Sequence, residues 1–358
     1  MKILVCASYN HAFNSIRPEA EIFIEMVQQG HEVTIMTEGE SGYIDRLKTS
    51  GVNVIDCYPT KKICVKTIKR IRQELKTGGY DICYAFNSKT IPNAAFACIG
   101  IKVKLIAYRG TTGGLYRHDP SAYLTQLHPR VDGIVCVSNA VQKDVASRVW
   151  KNKKNVVTIY KGHQSDWYTV PATQRSEFKL DESHKIAVCA AHVRPSKGIS
   201  VLIEATHEIL DENFHLILAG SGFEPHFEEI KASPMANRIH YIGHRTDIPS
   251  LMTMADFQVQ PSISGEGLPR TIIEAMANGT PSIVTTTGGS PELVEDGKTG
   301  FIVATNDSSE LAAAMNKMLA DKNISKQMGE TAKKRLATHF SSHNTVLEHI
   351  KYFEELLK

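Results

Sequence analysis

Short apolar runs alternate along this chain with longer stretches in which apolar side chains recur every three or four positions. The runs at 3–7, 32–36, 52–56, 81–84, 103–108, 133–137 and 156–159 have the length and continuous apolar character of strands covered on both faces. The periodic stretches between them, at 18–29, 61–76, 90–99 and 140–150, predict helices. Gly30 closes the first, and Ser138 with Asn139 caps the last. Residues 166–184 are polar and break the rhythm, which places an interdomain connection there. The alternation then resumes. Strands are predicted at 186–190, 214–219, 239–241, 256–260, 282–286 and 300–303, and helices at 199–210, 247–254, 310–319, 324–337 and 344–357. This is an α/β chain of two Rossmann-like domains, 1–165 and 185–341, followed by a last helix over 342–358. Ligands of such sheets bind beyond the carboxyl ends of the strands. The two domains are therefore expected to face one another across a ligand cleft.

Composition narrows the class. At 358 residues the chain is long enough for two domains with ordinary cores. A net charge of +3 is too mild for a dedicated nucleic-acid binder. Seven cysteines without a CxxC pair or regular spacing point to free thiols in a reducing compartment and to no structural zinc. The first residues lead straight into strand-like sequence rather than a signal peptide, and no apolar run reaches the roughly 20 residues of a membrane helix. A cytoplasmic protein is expected. The stretch 61–76 carries Lys61, Lys62, Lys66, Lys69, Arg70, Arg72 and Lys76 between apolar residues. Its charges form either a solvated helix face or a surface for anionic lipid or a lipid-linked acceptor, at the inner face of a membrane.

The candidate chemistry concentrates in 255–303. Glu266 and Glu274 flank a Gly-Leu-Pro turn, and Glu274 sits among small apolar residues. A packed carboxylate needs a partner, and two vicinal ribose hydroxyls supply one. The alternative is a solvated glutamate stabilised by a helix dipole. The turn Gly288-Gly289-Ser290-Pro291 passes from a strand into a helix start, where uncovered N–H groups make either an anion site or a plain turn. The loop His192–Gly198 brings Arg194 and Lys197 to the end of a strand, as cations for a diphosphate or as a solvated basic loop. Gly220, Gly222 and Gly243 are close-approach turn residues. In the first half, Arg109, Thr111 and Thr112 follow a strand and are placed to hold an anionic or hydroxylated group. His118 lies nearby, and Asp119 is a helix cap. The stretch 10–17, with Asn14, has no GxGxxG signature, which argues against a nicotinamide or flavin cofactor.

Taken in order, the Glu266/Glu274 pair, the GGSPELV-x-DG-x-TGF run from Gly288, the Lys197-Gly198 loop and the Gly220-Ser221-Gly222 turn resemble the retaining nucleotide-sugar glycosyltransferases of family 4. The resemblance is strong over about 185–305 and weaker before it. It implies the glycosyltransferase B fold and a nucleoside-diphosphate sugar as donor substrate, with neither cofactor nor metal. It further implies that Glu274 holds the donor ribose and that Glu266 contacts the transferred sugar with amides near Gly289 and Ser290. Lys197 meets the diphosphate, the segment around His244 lies by the base, and the last helix returns to the N-terminal domain. The acceptor it implies is a glycan or lipid-linked intermediate, such as one of lipopolysaccharide or surface polysaccharide.

Three places depart from the family pattern. Where members carry an arginine in the loop after the first C-terminal strand, this chain has Ala191-His192, with Arg194 two residues on. A glycine pair in the first loop is replaced by Asn14-Ser15-Ile16-Arg17, and a histidine after the fifth strand by Arg109, with His118 nearby. Two other readings share this architecture: an epimerase that hydrolyses its nucleotide sugar, and a non-catalytic nucleotide-sugar-binding protein.

Overall fold

The apolar runs pair side by side in parallel, as expected of strands that present no polar face to water. The computed structural model describes residues 1–9, 13–39 and 42–358, with 13–15 described as backbone only. Contacts divide the chain into two units, residues 1–162 with 340–358, and residues 163–339.

In the first unit, β1 (Lys2–Cys6), β2 (Glu32–Thr37), β3 (Asn53–Asp56), β4 (Ile82–Ala85), β5 (Lys104–Arg109), β6 (Gly133–Cys136) and β7 (Val156–Thr158) form one parallel sheet in the order β3-β2-β1-β4-β5-β6-β7. The helices α1 (Phe13–Gln28), α2 (Ile44–Thr49), α3 (Val65–Gly78), α4 (Thr90–Ala97) and α5 (Asn139–Ala146) connect them. Apolar clusters cover both faces, one around Ile3, Val5 and Phe23 and the other around Leu4, Cys83 and Ile91. This follows from the alternation of side chains along β1.

The second unit repeats the plan. Its strands are β8 (Lys185–His192), β9 (Phe214–Ser221), β10 (Ile239–Tyr241), β11 (Phe257–Gln260), β12 (Ser282–Thr285) and β13 (Gly300–Val303). They are parallel in the order β10-β9-β8-β11-β12-β13. Around them lie α6 (Ile199–Ala205), α7 (Phe227–Ala232), α8 (Ile248–Met254), α9 (Arg270–Ala277), α10 (Ser290–Leu293), α11 (Ser308–Ala320) and α12 (Lys322–His339). The last helix, α13 (Ser342–Leu357), packs on α1 in the first unit, where Val346 and Phe353 join the core of Ile3 and Phe23.

Several boundaries differ from those the pattern predicts. The chain leaves the first unit after Gly162, and 163–184 belongs to the second. That stretch is polar because it runs as surface 3-10 turns, yet it is anchored. Leu180 packs with Ile186 and Val188, and Arg175 Nη1 donates to the His184 carbonyl at 2.8 Å. The basic helix starts at Val65 rather than 61, because the buried Asn93 side chain captures the preceding backbone. Asn93 Oδ1 accepts from Cys64 N at 2.8 Å, and Nδ2 donates to the carbonyls of Lys61 and Lys62. α5 stops at Ala146 and α6 at Ala205, shorter than their periodicity predicts. α1 begins five residues before Pro18, whose missing N–H removes only one bond near the helix start. The six-residue α2 and α7 are too short for a periodic signal. All seven cysteines are free thiols. Among the described residues no helix is long and apolar enough to cross a membrane.

Candidate functional site

Because every strand of the second unit is parallel, all its strand-to-helix loops emerge along one edge. β8 and β11 are neighbours there although five elements separate them in sequence, the kind of position where open α/β sheets hold ligands. Two glycines draw the loops of this edge together. Gly198 has φ +65°, and a Cβ on it would stand 2.1 Å from the carbonyl oxygen of Pro261. Gly288 has φ +57°, and a Cβ there would stand 2.1 Å from the carbonyl oxygen of Glu266. A side chain at either place would push the loops apart.

Within this knot Glu266 is buried. Its Oε1 accepts from Lys197 Nζ at 2.6 Å, from Gln260 Nε2 at 3.1 Å and from the Ser262 hydroxyl. The two groups expected to act on the sugar and the diphosphate are thus ion-paired with each other. The Gly288–Pro291 turn lies against Glu266, Ser290 begins the four-residue α10, and Pro291 sits in its first turn. Ser290 is fully buried, and its hydroxyl has no partner among the described residues.

Glu274 is the fifth residue of α9 rather than near its start, so the dipole-stabilised alternative fails on position. Only 2% of it is exposed. Oε1 pairs with Arg270 Nε at 3.1 Å, and Oε2 has no partner among the described residues. Burial pushes the carboxyl up to about 7, against the opposing pull of Arg270. Glu274 lines a cavity of about 400 Å³ with His192, Gly220, Ser221, His244, Arg245 and Arg270 among its other walls. Gly220 N donates to the Gly243 carbonyl at 2.7 Å, which fixes the β9 and β10 loops to one another, and Gly222 follows against Val193. His192 Nδ1 and the Ser221 hydroxyl are 2.7 Å apart. Arg194 is exposed and outside this cavity, and its side chain makes no hydrogen bond or ion pair among the described residues. At the family's arginine position the cavity wall is therefore His192.

The first unit has its own pocket, about 290 Å³, at the carboxyl ends of β4 and β5. Arg109 and Thr111 line it, but the Arg109 guanidinium is turned onto its own loop. Nε donates to the Thr111 carbonyl at 3.0 Å, and Nη2 donates to that of Gly113. It braces a turn rather than presenting a free fork to an anion, which corrects the expectation for it. Thr112 is not in the lining. His118 stacks on Tyr116 at 5.3 Å and is also outside the pocket. Asp119 caps a 3-10 turn, accepting from Ser121 N at 2.8 Å. The side chain of Asn14 lies outside the described residues.

Sequence reasoning missed several of the groups these sites contain. Arg270 stands four residues before Glu274, a spacing that pairs side chains on a helix and was open to inspection. Arg245, held by a two-pronged bond to Asp247 at 2.8 and 2.7 Å, and Gln260 and Ser262 carried no such signal. In the first pocket the missed residues are Lys62, Asn87, Ser88 and Gln126. Phe86 and Tyr108 stack at 5.2 Å in its wall, and the buried Gln126 donates to the Tyr108 carbonyl at 3.0 Å while its Oε1 has no partner among the described residues. Among the described residues no group of three or more side chains is gathered to hold a metal ion.

Comparison with known proteins divides the chain as its sheets do. Residues 171–335 match the family described as "Glycosyl transferases group 1", and residues 20–167 match "Glycosyltransferase Family 4". The chain is similar to N-acetyl-alpha-D-glucosaminyl L-malate synthase of Bacillus anthracis, at 23% identity over 94% of this chain and 93% of that one. It is similar also to the GDP-mannose-dependent alpha-(1-6)-phosphatidylinositol monomannoside mannosyltransferase of Mycolicibacterium smegmatis, at 24% identity over 91% of each. Among solved structures, Anabaena HepE in complex with UDP and glucose superposes with a TM-score of 0.79 at 20% identity, over 99% of this chain and 100% of that one.

Proposed function

The chain is a glycosyltransferase of the B fold related to group 1 and family 4, and from that premise we propose that it moves a hexose-type sugar from a nucleoside diphosphate to a hydroxyl acceptor, with retention of anomeric configuration and without a metal. The observation that carries this reading is Glu274, a carboxylate with 2% exposure and one unpartnered oxygen in the wall of a 400 Å³ cavity. Leaving it so is costly. Two vicinal ribose hydroxyls donate to it and return it to its ionised form. On this reading Arg270, Arg245 and His192 stand on the same cavity wall as cationic or polar partners for the diphosphate.

Lys197 and the amides of Gly289 and Ser290 offset the negative charge that develops on the departing diphosphate, the part a divalent cation plays elsewhere. Glu266 accepts from hydroxyls of the transferred sugar, and its hold on Lys197 sets where that ammonium stands. The acceptor hydroxyl attacks C1 from the face the diphosphate leaves. The C1–O bond to the diphosphate breaks as the bond to the acceptor oxygen forms, and the acceptor's proton goes to the diphosphate. The pocket of Lys62, Phe86, Tyr108 and Gln126 takes the acceptor, its stacked rings suiting a sugar face. A lipid-linked acceptor fits the name of the mycobacterial relative.

The test is a panel of UDP-, GDP- and ADP-sugars, following nucleoside diphosphate release with and without acceptor extracts, with and without EDTA. Acceptor-dependent release from one donor class, unchanged by EDTA, is expected. Equal release without acceptor would make the protein a hydrolase or epimerase, and donor binding without release a binding module.

A further inference from the structure

A second cavity in the first unit, about 340 Å³, lies against the amino-terminal ends of β6 and β7 and shares Gln126 with the acceptor pocket. Its walls are mainly apolar, with Leu127, Pro129, Ile134 and Val149 beside the polar His128 and Asp132. At its mouth stands Trp150, 66% exposed, the most exposed aromatic side chain of the described residues. Trp150 is held outward rather than loose. The Arg117 guanidinium lies 4.6 Å from the centre of its ring and donates from Nε to the Arg148 carbonyl at 2.8 Å and from Nη2 to that of Ser147 at 2.9 Å.

The charge around this mouth has one sign. Lys151, Lys153 and Lys154 are exposed and make no ion pair among the described residues. The neighbouring acids are already matched, Asp144 by Arg148 at 2.6 Å and Asp132 by Arg130. An amphipathic indole beside unneutralised lysines, over an apolar hollow, is the combination that meets a bilayer interface: ring at headgroup level, ammonium groups on anionic headgroups, hydrocarbon inside. The basic helix α3 is a poorer candidate than its sequence predicts. Arg70 is paired with Glu74 at 3.0 Å, and Arg72 donates to the carbonyls of Ala97 and Ile99, which leaves Lys66, Lys69 and Lys76.

We propose that the surface formed by Trp150, Lys151, Lys153 and Lys154 seats this protein on an anionic membrane, with the cavity behind Trp150 receiving the hydrocarbon of a lipid. The proposal does not rest on the transferase reading, since vesicle binding is measured with no sugar nucleotide present. The full chain is floated with phosphatidylcholine vesicles, with and without phosphatidylglycerol, and with chains carrying bromine. Trp167, the other tryptophan, is 8% exposed and serves as an internal reference.

Wild type is expected to float only with the anionic vesicles, with its emission shifted to the blue and partly quenched by the brominated chains. W150F should lose the quenching. Reversal of the three lysines to glutamate should weaken binding at least about 100-fold, at roughly tenfold or somewhat less per lysine lost. Circular dichroism and thermal unfolding should match wild type in both variants, which shows that they fold. Absence of flotation, flotation without quenching, or flotation that survives these changes but is lost on charge reversal at Lys66 and Lys69, would each overturn the proposal.

Discussion

The two units share a plan but treat their polar groups differently. At the loop edge of the second, charged side chains are locked to partners: Glu266 to Lys197 of another loop and to Gln260 and Ser262 just before it, and Glu274 to Arg270 one turn earlier on α9. At the corresponding edge of the first, Arg109 closes on its own turn, and the pocket is lined from segments near residues 62, 87, 110 and 125. The first arrangement is rigid and suits a ligand of fixed chemistry. The second presents Ser88 and Lys62, whose side chains make no hydrogen bond or ion pair among the described residues, and suits a ligand held less tightly.

The sharpest break of that contrast is Glu266→Gln. Transfer should fall about 100-fold or more, since both a charge-assisted contact and the placement of Lys197 go. Calorimetric affinity for the free nucleoside diphosphate should change less, falling several-fold at most through the displaced Lys197. Glu274→Ala should do the reverse first, weakening nucleoside diphosphate binding roughly 10- to 100-fold for a lost bond or two to a charged group. If both variants moved affinity and turnover alike, the division of labour between the carboxylates would be gone.

Third comes pH. The Glu274 carboxyl lies near 7 in the folded chain against an ordinary 4.5. The native state therefore binds more protons between those values, and this group's contribution to stability falls as pH rises through the window. Glu274→Gln should match wild type near pH 4.5 and gain up to about 3 kcal/mol above pH 8, read by thermal unfolding at both ends. A gain at acid pH instead would contradict the buried, unpartnered state of Oε2. The smallest effect is expected in the first unit. Lys62→Ala and Gln126→Ala should each raise the acceptor KM several-fold, on the order of 1 kcal/mol per lost hydrogen bond, and leave nucleoside diphosphate affinity alone.

The same contrast explains what was legible in the sequence. The parallel strands announced themselves because burial on both faces writes a continuous apolar run, and β8 to β13 were each placed to within two residues or so. Glu266, Glu274 and the Gly288 turn stood out because they fall in one segment. Gln260, Ser262 and Arg245 did not, because what makes them part of a site is tertiary contact that no local spacing records. Position within a helix is less legible: a dipole-stabilised Glu274 requires a helix start there, and α9 is already under way from Arg270. In the first unit Arg109 was conspicuous by type, yet its loop turns back so tightly that its own carbonyls take the guanidinium. The polarity of 166–184 marks a connection, and Trp167, Tyr168 and Leu180 show the limit of that signal, since three buried side chains tie the stretch down.

The position of α13 has a consequence for biosynthesis. Val346, Tyr352 and Phe353 fill a core whose other members include Ile3, Phe23 and Ile82. During translation these side chains leave the ribosome after the rest of the sequence, so the amino-terminal half waits unfinished while the half made later has already received all its residues. The usual order, in which the domain synthesised first also folds first, is inverted here, and a chain released after residue 339 would display a completed carboxyl-terminal domain behind an amino-terminal one still exposing its apolar seam.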